Sequence, residues 1–487
     1  MPPLRLMTAL LLLAWSPASA AAGPAGHDAL GPAPLAPPTA VQDAGLASLD
    51  PGSAVQDSLV VQAVVDSIVA AALAEGQAAG MSVAVARGDE LLLNRGYGMA
   101  ELELEVPTPP DAVYEIGSVT KQFTAAAIFQ LAEEGKLDLD ADLTTYLPDY
   151  PTEGRSIPVR RLLDHTSGIR GYTEIPEFQE LAIRDVPRDT LIAAFSSKPF
   201  DFEPGEAAIY NNSAYYLLGL IIEERSGLDY EEYVETHFFE PLGMTRSSYC
   251  SERRITPGKA KGYSYTPDGL RHKEFLVHSH PYAAGSLCST TGDLVTWTRA
   301  LHSGRVLGPD AYGEMVSGGV LNDGTRLRYA AALSLTEIQG HPAIHHGGGI
   351  FGFLSHLAHL PEADLTIAVL INTTGPVGPA GITAEIVEAL VGARPLEGVP
   401  FTGEASRFAG EYEAVGRGGS LEVQVSAGED GLMLSMGQSQ ADPQPLVYLG
   451  DDTFALDTNR FTFEWTGDEV ARIRADMGAM YTFLEPK

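Results

Sequence analysis

Cysteine is almost absent from this 487-residue chain, which holds only Cys250 and Cys288. Neither lies in a Cys-x-x-Cys pair, which argues against dithiol redox catalysis. In an oxidising compartment the two can form a disulfide, but their spacing does not establish that they meet. Positive charge is scarce as well: 31 Lys and Arg stand against 64 Asp and Glu, a formal net charge of -33. So acidic a surface repels nucleic acid and anionic lipid, which argues against both as partners. Salt adaptation and the ordinary composition of an acidic exported protein account for it equally well. The chain also lacks Gly-x-Ser-x-Gly, which disfavours an α/β-hydrolase, and it lacks dinucleotide and P-loop fingerprints. His278-Ser279-His280 and His356-Leu357-Ala358-His359 lack His-Glu-x-x-His spacing and a nearby cysteine pair, so they read as ordinary histidines. Neither a metal nor a cofactor is expected.

The first 20 residues carry a basic residue (Arg5), an apolar core (Leu6 to Trp15) and a small-x-small site (Ala18-Ser19-Ala20), the pattern of a secretory signal. Export to the periplasm or the extracellular space follows, with cleavage near Ala20. The apolar run is too short to span a bilayer, and no later segment is expected to qualify, so stable membrane insertion is not expected. Residues 21–56 are rich in Ala, Pro and Gly and read as a linker. Residues 57–395 have the composition of a globular domain. Within them, Met81 to Arg87 and Leu91 to Asn94 flank Gly88-Asp89 and predict a hairpin, while Leu365 to Ile371 reads as a strand. Strands at both ends with helices between them predict one sheet assembled from distant segments, with a helical lobe inserted.

After Pro395 the pattern changes to alternation. Leu421, Val423 and Val425 alternate with polar residues, as do Leu432, Leu434 and Met436. Phe461, Phe463 and Trp465 do the same, and so do Ala471, Ile473, Ala475 and Met477. Such period-2 segments, broken by Gly and Asp turns, predict a small antiparallel β-barrel over 401–487.

Chemistry concentrates in three short motifs. Ser118-Val119-Thr120-Lys121 opens a run of good helix formers, and residues three apart share a helix face, so the lysine can reach the serine hydroxyl. A serine needs an adjacent base to be nucleophilic, and a desolvated lysine can serve. Tyr210-Asn211-Asn212 is the one Tyr-x-Asn in the chain. Its tyrosine beside a cationic lysine can transfer protons, and its second asparagine can hold a carbonyl and contact the lysine. His345-His346-Gly347-Gly348-Gly349 places residues without Cβ atoms where a substrate can lie along the backbone and meet its N–H groups.

Together, in this order, the motifs resemble the serine β-lactamase and penicillin-binding-protein superfamily, specifically its class C-like branch of D-alanyl-D-alanine carboxypeptidases, D-aminopeptidases and family VIII-type esterases. Glu115-Ile116-Gly117, Leu162 to Gly168, and Ala284-Gly285-Ser286 leading to Ser289 through Leu294 extend the likeness. The resemblance implies an α+β fold: a β-lactamase/transpeptidase-like domain, with an antiparallel sheet flanked by helices and a helical lobe, ahead of a lipocalin-like barrel. It implies Ser118 as acylated nucleophile, Lys121 as its base, Tyr210 as the residue that protonates the leaving group and later activates water, and Asn212 as orienter of the substrate carbonyl. It further implies backbone N–H groups of Ser118 and Gly349 as the oxyanion hole, Gly347 and Gly348 against substrate, and His346 as a hydrogen-bonding partner of Tyr210. His165, in His-Thr-Ser-Gly, is expected to be structural.

The third motif departs from the Lys-Thr-Gly of penicillin-hydrolysing relatives. His346 is only partly charged at neutral pH, and Gly347 has no hydroxyl, so recognition of a substrate carboxylate is weakened. The expected function is therefore an acyl-serine hydrolase of small-molecule or peptide substrates, amide or ester. The alternatives are a weak β-lactamase and a non-catalytic protein that keeps the fold. The sequence is silent on oligomeric state.

Overall fold

The hairpin at Gly88-Asp89 begins the central sheet. In the computed structural model, which describes residues 54–428, 431–437 and 442–487, strand Gly80–Arg87 turns directly into Glu90–Glu101. Gly88 sits at φ +49°, the left-handed region a tight turn demands. On its other edge Gly80–Arg87 pairs antiparallel with Leu365–Ile371, in register Val83 with Val369. The sheet has seven strands, in the order Ser334–Ile338, His341–Ile350, Phe353–Leu360, Leu365–Ile371, Gly80–Arg87, Glu90–Glu101, Val106–Pro107. The earliest strands are thus completed by the latest, as predicted, and the helical lobe is the chain between them.

Period-2 alternation sorts side chains to two cores. Ala84, Ala86, Ala368 and Leu370 pack with the helical lobe, whereas Val83, Val85, Ile367 and Val369 face helices Ala54–Ala74 and Pro379–Val391. Small residues toward the lobe let its central helices come close. Those helices, Thr120–Glu133 and Asn212–Ser226, are buried on nearly every side. The second is capped by Asn211, whose Oδ1 accepts the Ala214 N–H at 2.8 Å, and it ends at Gly227, φ +76°.

Helix Ala54–Ala74 corrects two expectations. It starts inside the segment assigned to the linker, and its Asp57–Ala74 stretch is, by length and composition, apolar enough to cross a membrane. In the fold, Val61, Val65 and Val69, one turn apart, are buried against the sheet. The signal at 1–20 and the linker up to residue 53 lie outside the described residues.

The C-terminal part forms a nearly closed antiparallel barrel-like sheet of nine strands, from Gly410–Gly416 to Met480–Pro486. The alternating residues fill it: Val423, Val425, Leu432, Leu434, Phe461, Phe463, Ile473 and Ala475 are all buried. Its last strand pairs with a short strand of the main domain, Ala208–Ile209, in register Tyr481 with Ala208 and Met480 with Ile209. That strand ends immediately before Tyr210. Cys250 and Cys288 are joined by a disulfide, packed with Val113 beside the strand Leu287–Ser289.

Candidate active site

Ser118 sits on a single turn of 3-10 helix, Gly117–Val119, that feeds helix Thr120–Glu133. One turn on, Lys121 is wholly buried. Its Nζ lies 3.1 Å from Ser118 Oγ, 2.8 Å from Asn212 Oδ1 and 2.7 Å from the carbonyl oxygen of Ala284. Two of these partners can only accept. A neutral amine has two protons to give them and keeps its lone pair for the third neighbour, the serine hydroxyl. Burial pushes the Lys121 proton affinity well down, and the nearby Arg417 adds to it, against the opposing Glu174. The site therefore holds a lysine able to accept the serine proton.

Tyr210 lies beside this pair, its ring centroid 4.8 Å from Lys121 Nζ. Its hydroxyl is buried and has no hydrogen-bond partner. Burial raises the phenol pKa above its ordinary value, with Ser118 and Arg417 opposing the shift. A phenol that keeps its proton, close to Ser118 but outside full hydrogen-bond geometry with it, is placed to donate to an incoming group. Asn212 gives its Oδ1 to Lys121 and donates through Nδ2 to Thr173 Oγ1 at 3.0 Å.

His346 comes from the strand His341–Ile350, whose neighbour in space is the nucleophile turn. It does not hydrogen-bond Tyr210 as expected; the two rings are 6.0 Å apart. Its Nε2 instead meets the hydroxyl of Tyr329 at 3.0 Å, and that hydroxyl lies 3.1 Å from His165 Nε2. The backbone N–H of Asn211 donates to His165 Nδ1, and His346 Nδ1 faces the Gly347 carbonyl at 2.5 Å. These ends fix the tautomers: His165 donates to Tyr329, Tyr329 to His346, and His346 to Gly347. The chain ties the His-Thr-Ser-Gly segment, the Tyr-x-Asn segment and the third motif together. Burial, reinforced by Lys121, pushes the His346 pKa down to about 3, so it is neutral rather than partly charged at physiological pH.

The glycines of the third motif are fitted to the nucleophile turn. A Cβ on Gly348 would lie 2.2 Å from both Ile116 O and Ser355 Oγ, and 3.0 Å from Ser118 N. A Cβ on Gly117, φ +50°, would lie 2.9 Å from Gly349 N. The two backbones that carry the expected oxyanion donors, Ser118 N–H and Gly349 N–H, thus touch, and only glycine permits it. Gly347 and Gly349 face outward, where a Cβ would meet nothing closer than 3.6 Å. Ser355 Oγ donates to Ile116 O at 2.7 Å and holds the turn from behind.

Several of these residues escape sequence reasoning. Tyr329 and Thr173 carry no motif, and the Ala284 contact is made by a backbone carbonyl. Glu115, three residues before Ser118, is a buried carboxylate contacted by Lys273 at 2.6 Å and Lys259 at 2.9 Å, with His278 at 3.5 Å. Burial alone would raise its pKa; His278 and the two lysines overturn that and hold it below the usual carboxylate range. Arg417 comes from the barrel. No group of three or more His, Cys, Asp or Glu among the described residues is arranged to hold a metal.

Comparison with known proteins identifies the family and the fold. The family described as Beta-lactamase matches residues 65–391. A D-aminopeptidase of Gluconobacter oxydans is 26% identical over 354 residues, 72% of this chain and 66% of that protein. The chain spans between 58% and 66% of the length of the first curated relatives it matches. A D-amino acid amidase of Ochrobactrum anthropi, solved with D-phenylalanine, superposes with a TM-score of 0.60 at 25% identity, covering 68% of this chain and 98% of that one. An octameric penicillin-binding protein homologue from Pyrococcus abyssi shares the fold over 87% of this chain and 100% of its own, at a TM-score of 0.60 and 24% identity.

Proposed function

Because this chain belongs to the β-lactamase family, we propose that it is an exported serine hydrolase that cleaves amide bonds of D-amino-acid amides and peptides through an acyl-Ser118 intermediate. The observation that carries the reading is the buried Lys121 amine, whose Nζ lies within hydrogen-bond distance of Asn212 Oδ1, Ala284 O and Ser118 Oγ.

In this mechanism Lys121 takes the Ser118 proton as Oγ attacks the substrate carbonyl. The oxyanion develops against the N–H groups of Ser118 and Gly349; one such donor contributes about 3–4 kcal/mol to transition-state stabilisation. Tyr210 gives its proton to the departing nitrogen and recovers one from the lysine ammonium, which leaves the lysine neutral again. Water then attacks the acyl-enzyme, its proton passing through the same groups back to Ser118 Oγ. Asn212 keeps the lysine aimed and borders the path of the carbonyl.

The substrate class follows from what the third motif cannot do. A neutral His346 and a Gly347 without a hydroxyl make no clamp for a carboxylate, which disfavours efficient β-lactam hydrolysis. The D-aminopeptidase and D-amino acid amidase relatives support D-configured amides. Export rests on the Arg5 to Ala20 pattern, and peptides outside the cytoplasm are then the available substrates.

The test is intact-protein mass spectrometry after incubation with labelled penicillin and an activated ester, beside turnover of D-aminoacyl amides, D-Ala-D-Ala peptides, β-lactams and short-chain esters. An adduct on Ser118 and fastest turnover of the D-amides are expected. No adduct, with ester turnover unchanged in Ser118→Ala, overturns the mechanism; fastest turnover of esters or β-lactams overturns the substrate class.

A further inference from the structure

The barrel reaches the catalytic cleft through the turn between strands Gly410–Gly416 and Gly419–Ala427. Gly418, φ +76°, is seated on Glu174: a Cβ there would lie 2.9 Å from Glu174 Cγ and 3.0 Å from its Cβ. From this seat Arg417 donates through Nε to Glu174 Oε1 at 2.6 Å and through Nη2 to Thr173 Oγ1 at 3.2 Å. Its guanidinium carbon lies 5.1 Å from the centroid of the Tyr210 ring, which also faces Lys121.

Thr173 makes the connection. Its hydroxyl donates to Glu174 Oε1 at 2.6 Å and accepts from Arg417 and from Asn212 Nδ2, so its one proton and both lone pairs are engaged. Asn212 Oδ1 in turn receives Lys121 Nζ, which touches Ser118. An unbroken path of hydrogen bonds therefore runs from Arg417 through Thr173, Asn212 and Lys121 to the serine. A second contact acts on the same motif from its other side: the last barrel strand pairs with Ala208–Ile209, directly before Tyr210.

We propose that Arg417 is a positioning residue for acylation, and that the barrel delivers it: the guanidinium fixes the Asn212 amide through Thr173 and sets a fixed cation against the Tyr210 ring, beside the lysine amine. The inference rests on the acyl-serine reading above. The titratable groups around Lys121 and Tyr210 are the Arg417–Glu174 pair, the neutral His165 and His346, and the phenols of Tyr172, Tyr215 and Tyr329. Removing one cation makes the Lys121 ammonium easier to form, so the neutral amine is reached only at higher pH.

The full-length protein is compared with Arg417→Gln and Arg417→Lys, using kcat, KM and the pH profile of kcat on a D-aminoacyl amide, with Ser118 acylation by an activated ester read by mass. Arg417→Gln is expected to lower kcat about tenfold, change KM less than about threefold, and move the ascending limb about half a pH unit upward. Arg417→Lys keeps the charge and restores the limb but not the full kcat, because it lacks the two-point fork. Arg407→Ala, which removes a barrel arginine paired with the exposed Asp468, leaves all three unchanged. Wild-type kcat and pH profile in Arg417→Gln overturn the proposal, as does a loss carried by KM alone. Failure of the wild-type protein to acylate Ser118 overturns the parent reading instead.

Discussion

Lys121 Nζ lies 2.7 Å from the carbonyl oxygen of Ala284, 163 residues further along the chain. This contact, with the one to Asn212, uses the two protons of a neutral amine and leaves its lone pair for Ser118. Replacing the amine with Met keeps the bulk but leaves both acceptors buried and unpaired. Lys121→Met is expected to lower the rate of Ser118 acylation by about a thousandfold, the scale of a lost general base. Stopped-flow acylation with an activated ester checks it, and acylation within tenfold of wild type would remove Lys121 from its assigned role.

Gly348 and Gly349 are neighbours on one strand with opposite tolerances. A methyl on Gly348 collides with Ile116 O and Ser355 Oγ at 2.2 Å, so the nucleophile turn must move. Gly348→Ala is expected to cost about 1–3 kcal/mol of stability and at least about a hundredfold in kcat, through displacement of the Ser118 N–H. A methyl on Gly349 meets only Leu354 Cδ2, at 3.6 Å, an ordinary contact. Gly349→Ala should stay within about 1 kcal/mol of wild type in urea unfolding. Equal losses in the two variants would contradict the close approach at Gly348.

Patterns that repeat within one element were legible in the sequence. The three-residue offset of Ser118 and Lys121, the hairpin at Gly88-Asp89, and the alternation of Phe461, Phe463 and Trp465 are properties of single helices and strands. What escaped depends on how distant elements are docked. Tyr329 became a link between His165 and His346 only when the strand His341–Ile350 came beside the nucleophile turn. Arg417 sits in a turn whose residues suggest only a hairpin, and its role follows from the barrel pairing with Ala208–Ile209. The family resemblance implied His346 as a partner of Tyr210, but Tyr329 takes its Nε2, and no local pattern specifies that.

The Cys250–Cys288 bridge closes a loop across a sequence separation of 38. By the chain-entropy estimate, a loop of this size stabilises the fold by about 4 kcal/mol relative to the open chain. The double variant Cys250→Ala/Cys288→Ala is expected to lose stability on that scale in urea unfolding, as is the reduced wild-type protein. A change below about 1 kcal/mol in both would show that the bridge adds little beyond the strand pairing of Ser248 with Cys288.

Tyr329 holds two histidines by one hydroxyl. Tyr329→Phe removes it and leaves the His165 Nε2–H and the His346 Nε2 lone pair buried without partners. An unsatisfied buried polar group costs about 1–3 kcal/mol, so a loss of roughly 2–6 kcal/mol is expected from the pair. Crystallography of the variant should show the His346 ring turned, and urea unfolding gives the magnitude. Wild-type stability with an unmoved ring would show that the chain is not under tension from these contacts.

Buried neutral histidines also set the acid limit of the fold. Burial holds His345 down to about 4 and His346 to about 3, and keeps His165 and His356 well below the ordinary value of 6.5. Below pH about 6.5 the unfolded chain takes up these four protons and the folded one refuses them, so stability falls as pH falls. Asp164 and Asp201 work the other way: burial raises both to about 6, so the folded state gains their protons first. His302, which burial also holds down to about 3, joins the four histidines, so they outnumber the two aspartates and near pH 5 the unfolded state binds more protons than the folded one. Each proton of difference contributes about 1.4 kcal/mol per pH unit, so stability should fall steadily as pH is lowered through this range. Urea unfolding at intervals between pH 7 and pH 4 measures the slope. His345→Gln, which removes one such group, should make that slope shallower, and an unchanged slope would show that this histidine accepts its proton in the folded state.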